Sequence, residues 1–168
     1  MTGSERWHKY FHDNYLSPGA YFRALGSAVG EHLSDSPPEW RQGAQGYFKR
    51  AASQFGQFTA DDTIRSGLAA AAGLDTRYRP CECSGAKRRV LHAIGWTFVT
   101  RNNEGKTRFD WPRLAGAYGS GFVMDAWYPE RFGPKDAFRQ GHTEFGSAIG
   151  GNILREFTPE IKRLLHRK

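Results

Sequence analysis

Cys81, Cys83 and His92 are the side chains best suited to chemistry, because thiolates and imidazoles are the usual ligands of structural zinc. The second ligand pair of such a site is missing from the neighbouring sequence. His8 and His12 lie four residues apart, a spacing that suits a metal on a helix, but no third ligand accompanies them. We therefore expect no metal site and no cofactor. A bridge between cysteines one residue apart would be strained, so their spacing predicts free thiols.

Glycine-rich stretches offer possible phosphate-binding loops. The stretch Arg113–Trp127 does not follow the G-x-G-x-x-G order of dinucleotide-binding turns, and its Gly119-Ser120-Gly121 lacks the wider glycine spacing of a nucleophile elbow. Residues 100–107 end like a P-loop but lack its first glycine and do not lead into a helix. No pair of carboxylates stands out as acid and base, so the sequence does not favour an enzyme.

Asp125 is the only acid within Arg113–Trp127. On a helix it would lie near Leu114 and Tyr118 on the bulky side of the stretch. A carboxylate buried there needs a partner, and we predict an arginine from the basic part of the chain. A pocket near Asp125 would support a small-molecule-binding or catalytic protein.

Positive charge is concentrated in residues 77–113, here called the basic segment. The chain has 24 Lys and Arg against 17 Asp and Glu, a formal net charge of +7. Residues 76–113 contain nine basic and three acidic side chains, so they account for +6 of the net charge of +7. Such a patch predicts binding to phosphates or acidic lipids, with a solvated basic face as the alternative. Its members are Arg77, Arg79, Lys87, Arg88, Arg89, Arg101, Lys106, Arg108 and Arg113.

The N-terminal residues 1–16 are predicted to form an amphipathic helix that is peripheral to the domain. Trp7, Tyr10, Phe11 and Tyr15 lie at helical spacing with basic residues between them. This combination suits a membrane interface. The alternative is a helix docked on the domain core.

Apolar residues at helical spacing predict a mainly α-helical single domain over residues 1–168, a compact bundle of about six helices. Ser17-Pro18 predicts a helix start, and Ser36–Glu39 predicts a capping box that starts a long helix. A cap or kink is predicted at Thr59–Asp62, and an end at Gly73. Further caps are predicted at Ser84, Asp110, Thr143 and Thr158, the last starting a helix to about Arg167.

A small β-hairpin is predicted at about residues 96–111. Trp96–Arg101 and Lys106–Trp111 carry aromatic and β-branched residues and flank the loop Asn102–Gly105. An isolated hairpin is marginal, so we expect it to lie on the helices. The alternation of glycine and aromatic residues from Leu114 to Tyr128 would also suit a strand.

Small residues four apart predict close contact between helices, because a missing side chain lets another backbone approach. A glycine inside a helix costs about 1 kcal/mol relative to alanine, which such contact would offset. Laid on a helix, Arg113–Trp127 has small residues on two stripes, so we predict a central helix there. The residues predicted to pack closely are Gly26, Gly30, Ala115, Gly119, Gly121, Gly146 and Gly150.

Several phrases resemble those of an uncharacterised family of glycine-rich bacterial proteins. They are Pro37–Gly43, Asp75–Tyr78, Phe98–Arg101, Ala117–Phe122, Trp127–Pro129, Arg155–Phe157 and Pro159–Arg163. The resemblance covers most of the chain and carries no catalytic residue, because the family has no assigned activity. Its members often begin with a secretion leader, which implies the cell envelope or periplasm. This chain starts without an apolar leader, so we expect the cytoplasm if the N-terminus is native.

These observations favour a non-enzymatic structural or interaction protein at a membrane or in the envelope. Its basic surface would meet anionic lipid or an acidic protein partner. The first alternative is a nucleic-acid-binding module that uses residues 77–113, although no recognised motif accompanies them. The second is the pocket protein built around Asp125.

Overall fold

The computed structural model describes residues 1–165, which are mostly helical (73%) with six α-helices and a three-stranded antiparallel sheet. The predicted mainly-α bundle is therefore confirmed. Helix α1 spans Gly3–Phe11 and starts with a capping box between Thr2 and Glu5. One π-helical turn, His12–Leu16, follows it. Arg167, the predicted end of the chain's last helix, lies outside the described residues.

Helix α2 spans Pro18–Leu33 and starts as predicted, because the Ser17 hydroxyl accepts a hydrogen bond from the Gly19 N–H. Its inward side is narrow. The only buried residues of α2 are Ala24 and Ala28.

Helix α3 spans Ala44–Ala71 and begins later than predicted. The predicted capping box forms only a 3-10 turn, Pro38–Trp40. The reason is Arg50, whose fully buried guanidinium donates to the carbonyls of Ser36, Pro37 and Arg41, each at 2.8 Å. These hydrogen bonds hold the segment in a conformation in which Arg41 and Gly43 have φ angles of 59° and 89°, which a continuing α-helix does not allow.

The predicted cap or kink within α3 is wrong. The Thr59 hydroxyl donates to the Phe55 carbonyl and the Thr63 hydroxyl to the Thr59 carbonyl, so both bond back to their own helix and cap nothing. The predicted end is confirmed, because Gly73 adopts a left-handed φ of 65° directly after the helix.

The sheet contains the strands β1 (Leu74–Asp75), β2 (Val99–Asn102) and β3 (Thr107–Phe109) in that order. The hairpin β2–β3 lies within the predicted range, and β1 was not predicted. Helix α4 spans Ala86–Phe98, so Trp96–Phe98 are helical and not extended as predicted. The predicted cap at Ser84 is also wrong, since the N-cap of α4 is Gly85 and makes no side-chain hydrogen bond.

Helix α5 spans Trp111–Met124 and confirms a helix, not a strand, in this stretch. Asp110 caps it as predicted, accepting from the Arg113 N–H. Helix α6 runs unbroken from Pro134 to Leu165, with Pro159 inside it. The predicted starts at Thr143 and Thr158 are wrong for the same reason as in α3, because both hydroxyls donate to carbonyls four residues back.

The helices pack in a chain of contacts. Helix α3 contacts α1, α2 and α5, helix α5 contacts α6, and α6 contacts α4. Within residues 1–165, no helix combines the length and the apolar character that crossing a membrane requires.

Among the glycines predicted to pack closely, only those of α5 lie against a neighbouring helix. Gly121 faces the backbone of Ala137 on α6, and Gly119 faces the Ile64 side chain on α3. Gly116, which was not among the predicted residues, lies against the backbone carbonyl and the carboxylate of Asp61. Ala115 is half-buried.

The prediction of close packing is wrong for the glycine pairs of the two other helices, Gly26 with Gly30 and Gly146 with Gly150. A Cβ built on any of these four would have no neighbouring atom within 4 Å. All four glycines are exposed on the outer sides of α2 and α6. The inward positions of α2 are those of Ala24 and Ala28.

Candidate functional site

Large apolar side chains lie outward to an unusual extent, and polar side chains fill much of the interior. Among the described residues, only four buried hydrophobic residues are larger than alanine: Phe58, Leu74, Met124 and Tyr128. The largest fully buried side chain is Arg50, and Gln57, Asn152 and Glu156 are also fully buried. Extended apolar patches on a surface mark contacts with proteins, membranes or ligands.

The outer side of α2 is one such patch. Phe22 is 74% exposed and Leu33 82% exposed, and Leu25 and Val29 lie between them. These residues recur at three- and four-residue steps, so they form one stripe along the helix. The stripe faces away from α3.

The N-terminal aromatic residues form a second exposed patch. Neighbouring rings lie 4.8 Å apart for Trp7 and Phe11 and 5.6 Å apart for Phe11 and Tyr15. Phe55 of α3 then links Tyr15 to Tyr21 of α2, with ring centroids 6.3 and 5.5 Å away. The two patches together are called the α1–α2 apolar face. Its members are Trp7, Phe11, Tyr15, Leu16, Tyr21, Phe22, Leu25, Val29 and Leu33, all exposed.

Tyr10, the fourth predicted interfacial residue, is half-buried, and its ring lies 5.8 Å from that of Trp7 and 6.1 Å from that of Tyr15. Its hydroxyl hydrogen-bonds the Thr63 hydroxyl of α3 at 2.7 Å. Arg6 donates to the Leu74 carbonyl at 2.6 Å, and Asn14 donates to Asp62. Polar contacts therefore dock this region on the domain and leave three of the four predicted aromatic residues exposed.

Carboxylates from outside residues 76–113 form ion pairs with several cations of the basic segment. Asp75, one residue upstream, pairs with Arg77 at 2.6 Å and with Arg79 at 3.7 Å. Burial alone would raise the pKa of Asp75, but hydrogen bonds from Arg77 outweigh it and lower that pKa. Arg89 reaches Glu156 and Glu160 of α6. Tertiary contacts thus supply carboxylates that compensate part of the charge of the predicted anion-binding patch.

Two more members of the basic segment are held internally. Arg113 is largely buried, and its Nε lies 3.5 Å from the Asp110 carboxylate. Burial, with Arg65 nearby, lowers the pKa of Arg113 to about 10. Arg101 stacks on Trp96, with its guanidinium carbon 5.5 Å from the ring centre.

Lys106 pairs with the exposed Glu104 at 3.0 Å. Lys87, Arg88 and Arg108 have no ion pair within residues 1–165 and are exposed. Lys87 and Arg88 lie at the start of α4, and Arg108 lies on β3. The uncompensated charge of the basic segment is therefore divided between two places.

A buried carboxylate, Glu156 of α6, anchors the loop that carries the cysteines. It accepts hydrogen bonds from the Cys81 N–H at 2.9 Å, from His92 Nδ1 at 2.8 Å and from the Tyr78 hydroxyl. Burial raises the pKa of Glu156, but these hydrogen bonds outweigh it and the pKa is lowered. Burial and the Glu156 carboxylate raise the pKa of Tyr78.

The prediction of free thiols is wrong, because Cys81 and Cys83 form a disulfide. The three possible zinc ligands therefore have other partners, because Cys81 and Cys83 are bonded to each other and His92 is hydrogen-bonded to Glu156. Within the described part of the chain, no three His, Cys, Asp or Glu side chains are grouped to hold a metal ion. The role of Glu156 had no signal in the sequence, since its partners lie 64 to 78 residues away.

A second polar cluster lies between α3 and α5. Arg65 donates to Asp110 at 2.9 Å. Asp61 is close to Gly116, and its Oδ1 is buried without a hydrogen-bond partner among the described residues. Burial raises the pKa of Asp61 to about 6, against the opposing charges of Arg23, Arg65 and Arg113.

Asp125 does not occupy the predicted position. It is the C-cap residue of α5, is half-buried and has no ion pair among the described residues, so the predicted arginine partner is wrong. The acids that contact α5 are the buried Asp110 and the half-buried Asp61.

Comparison with protein-family models, with curated proteins and with solved structures found no match.

Proposed function

We propose that this chain is a non-enzymatic structural or interaction protein that lies against an anionic membrane surface in the cell envelope. The observation that carries the proposal is the α1–α2 apolar face, whose nine residues are all exposed. Amphipathic helices bind at the membrane interface in proportion to the apolar area they bury and to their attraction for anionic lipid. The net charge of +7 supplies that attraction.

The composition of the face supports an interface, because Trp7, Tyr15 and Tyr21 carry polar atoms at the end of apolar rings. Such rings are enriched at the level of the lipid headgroups. Insertion of a fully exposed large apolar side chain contributes about 1.5 to 3 kcal/mol. Phe22 and Leu33, the most exposed members, can therefore dominate the binding energy.

The nucleic-acid alternative is less favoured, because it needs one basic surface. Asp75, Glu156 and Glu160 divide the basic segment into pairs, as described above. The alternative around Asp125 depends on a buried acid at that position, and Asp125 is half-buried at a helix end.

Co-sedimentation with vesicles tests the proposal. The protein should pellet with vesicles that contain phosphatidylglycerol and remain in solution with phosphatidylcholine alone. The double variant Phe22→Ser, Leu33→Ser should bind at least about tenfold more weakly, because it removes two inserting side chains. Leu154→Ser is the matched control, since Leu154 is 63% exposed but lies on α6.

Three results would contradict the proposal: no binding, equal recovery with neutral and anionic vesicles, or equal losses in the double variant and in Leu154→Ser. Binding to an acidic protein without binding to vesicles would replace the membrane with a protein partner.

A further inference from the structure

An open cleft of about 340 Å³ lies where the C-terminal end of α3 meets the sheet and the start of α5. Pockets for small molecules have volumes of about 300 to 1,000 Å³ and combine apolar walls with few polar groups. The volume of this open cleft lies at the lower end of that range. Its lining residues are Ala72, Leu74, Asn102, Arg108, Phe109 and Trp111.

The register of the sheet assembles the cleft. Leu74 of β1 pairs with Asn102 of β2, and Thr100 of β2 pairs with Arg108 of β3. The chain then turns at Asp110 into α5, which places Trp111 beside Phe109. Phe109 is 53% exposed and Trp111 is 44% exposed, so their rings are available to a ligand.

The charge at the cleft is positive and uncompensated. Arg108 has no carboxylate partner within the described chain. Arg6 of α1 reaches the edge of the cleft, donating to the carbonyl of the lining residue Leu74 at 2.6 Å and to the Asn103 side chain at 3.4 Å. Neither acceptor is a carboxylate, so a ligand that complements both guanidinium groups is an anion.

The cleft is also connected to the proposed membrane-facing surface. Arg6 precedes Trp7 on α1, and Trp7 is the first residue of the α1–α2 apolar face. Helix α1 therefore carries both a residue at the edge of the cleft and a residue of that face. This continuity favours a ligand that is itself part of a membrane.

We propose that the cleft binds one anionic phospholipid. Its phosphate lies at the guanidinium group of Arg108, which matches phosphate oxygens with paired N–H donors, and the positive charge of Arg6, held at the edge of the cleft by Leu74 and Asn103, adds attraction. The glycerol backbone and the first acyl carbons lie against the rings of Phe109 and Trp111. This inference rests on the proposed function, because it names the lipid class that the membrane-facing surface selects.

Tryptophan indole N–H signals in a ¹H–¹⁵N NMR spectrum provide the test. The ligand is dihexanoyl phosphatidylglycerol below its micelle concentration, and Trp111→Phe assigns the signal. The Trp111 signal should shift in a saturable way. Trp127 is the internal control, because its indole N–H donates to the Ser53 hydroxyl at 2.9 Å, away from the cleft.

Arg108→Gln should raise the Kd by about tenfold or more, since it removes a hydrogen bond between charged groups. Arg88→Gln, an exposed cation on α4 that does not line the cleft, should leave the Kd unchanged. Both variants should retain the dispersed amide spectrum of the folded protein. Equal losses in the two variants would mean general charge attraction and would overturn the proposal.

Ligands that change one group at a time test the chemistry. Dihexanoyl phosphatidylcholine keeps the chains without net negative charge, and hexanoate keeps a short chain with a carboxylate. Both should bind more weakly than phosphatidylglycerol. Equal affinity for either would overturn the assignment of an anionic phospholipid.

The vesicle experiment separates this inference from the proposed function. Vesicle binding without a Trp111 shift would overturn the cleft and retain the membrane surface. A saturable Trp111 shift without vesicle binding would retain the cleft and overturn the membrane-associated function.

Discussion

Gly121 of α5 lies directly against the backbone of α6, so an added methyl group there should be costly. A Cβ at Gly121 would meet the carbonyl oxygen of Ala137 well inside contact distance, its carbonyl carbon at 3.1 Å and its Cα at 3.3 Å. All three are backbone atoms, which cannot rotate away. Gly121→Ala can therefore be relieved only by moving α5 away from α6.

The expected magnitude follows from two opposing effects. Overpacking a rigid contact costs about 3 kcal/mol, the upper end of the usual range. Replacing a helical glycine by alanine returns about 1 kcal/mol. The free energy of unfolding should fall by about 2 kcal/mol. For a chain of this length, the Tm should then fall by about 4 to 8 °C.

Two other glycines provide matched controls. Gly150→Ala has open space and should gain about 1 kcal/mol, which raises the Tm by about 2 to 4 °C. Gly119→Ala meets only the terminal methyl of Ile64 at 3.0 Å, which can rotate, so its net change should be near zero.

Thermal unfolding followed by circular dichroism at pH 7, without lipid, measures all three variants. The reasoning predicts the order Gly150→Ala, Gly119→Ala, Gly121→Ala from most to least stable. If Gly121→Ala is as stable as Gly150→Ala, α5 and α6 do not pack through Gly121.

Three further predictions concern the buried acids and the disulfide. Glu156→Gln should lower the free energy of unfolding in urea by about 2 kcal/mol or more, because it weakens several charge-assisted hydrogen bonds. The pKa of Glu156 is lowered in the folded state, so the stability that Glu156 contributes is fully present above its unfolded pKa of about 4.3 and is lost as the pH falls below that value. Glu156→Gln should therefore lose less stability than the wild type on acidification below about pH 4. The pKa of Asp61 in the folded state is raised to about 6, so the folded protein binds one more proton than the unfolded chain between about pH 4 and pH 6. The stability that Asp61 contributes should therefore fall as the pH rises through this range. Asp61→Asn should abolish that dependence on pH. Joint replacement of Cys81 and Cys83 by serine should cost about 1 to 2 kcal/mol in urea unfolding, because the disulfide closes a very short loop.

These predictions have clear contrary outcomes. If Glu156→Gln and the wild type lose stability equally as the pH falls below about 4, other carboxylates govern acid unfolding. An unchanged slope for Asp61→Asn would mean that Asp61 remains hydrated in the folded protein. A loss well above 3 kcal/mol for the serine double variant would show that the bridge orders more than its own loop.

The position of the helices was largely predictable from local residues. Ser17, Gly73 and Asp110 were assigned correctly because a cap depends on hydrogen bonds within one helical turn. The same reasoning failed at Thr59, Thr143 and Thr158. A threonine hydroxyl can cap a new helix or bond back to the preceding turn, and only the packed helix determines which occurs.

The candidate surfaces were less predictable. The spacing of small residues looks the same in sequence on α2, α5 and α6, but open space surrounds the predicted glycines of α2 and α6, whereas Gly119 and Gly121 of α5 lie against neighbouring helices. The sequence of the basic segment has an excess of positive charge, but Glu156 and Glu160 of α6 compensate part of it by pairing with Arg89. Spacing along a chain carries no information about carboxylates that arrive from 70 residues away.

The sequence by itself determined the fold class, most helix positions, the small hairpin and the aromatic character of the N-terminal helix, because local hydrogen bonds and apolar spacing control each of these. Only the tertiary structure decided which side of each helix is buried, which cations remain without a partner, and that Leu74, Arg108, Phe109 and Trp111 share a cleft. Those properties depend on contacts between segments far apart in the chain. Burial and charge compensation are set by such contacts, and no local pattern specifies them.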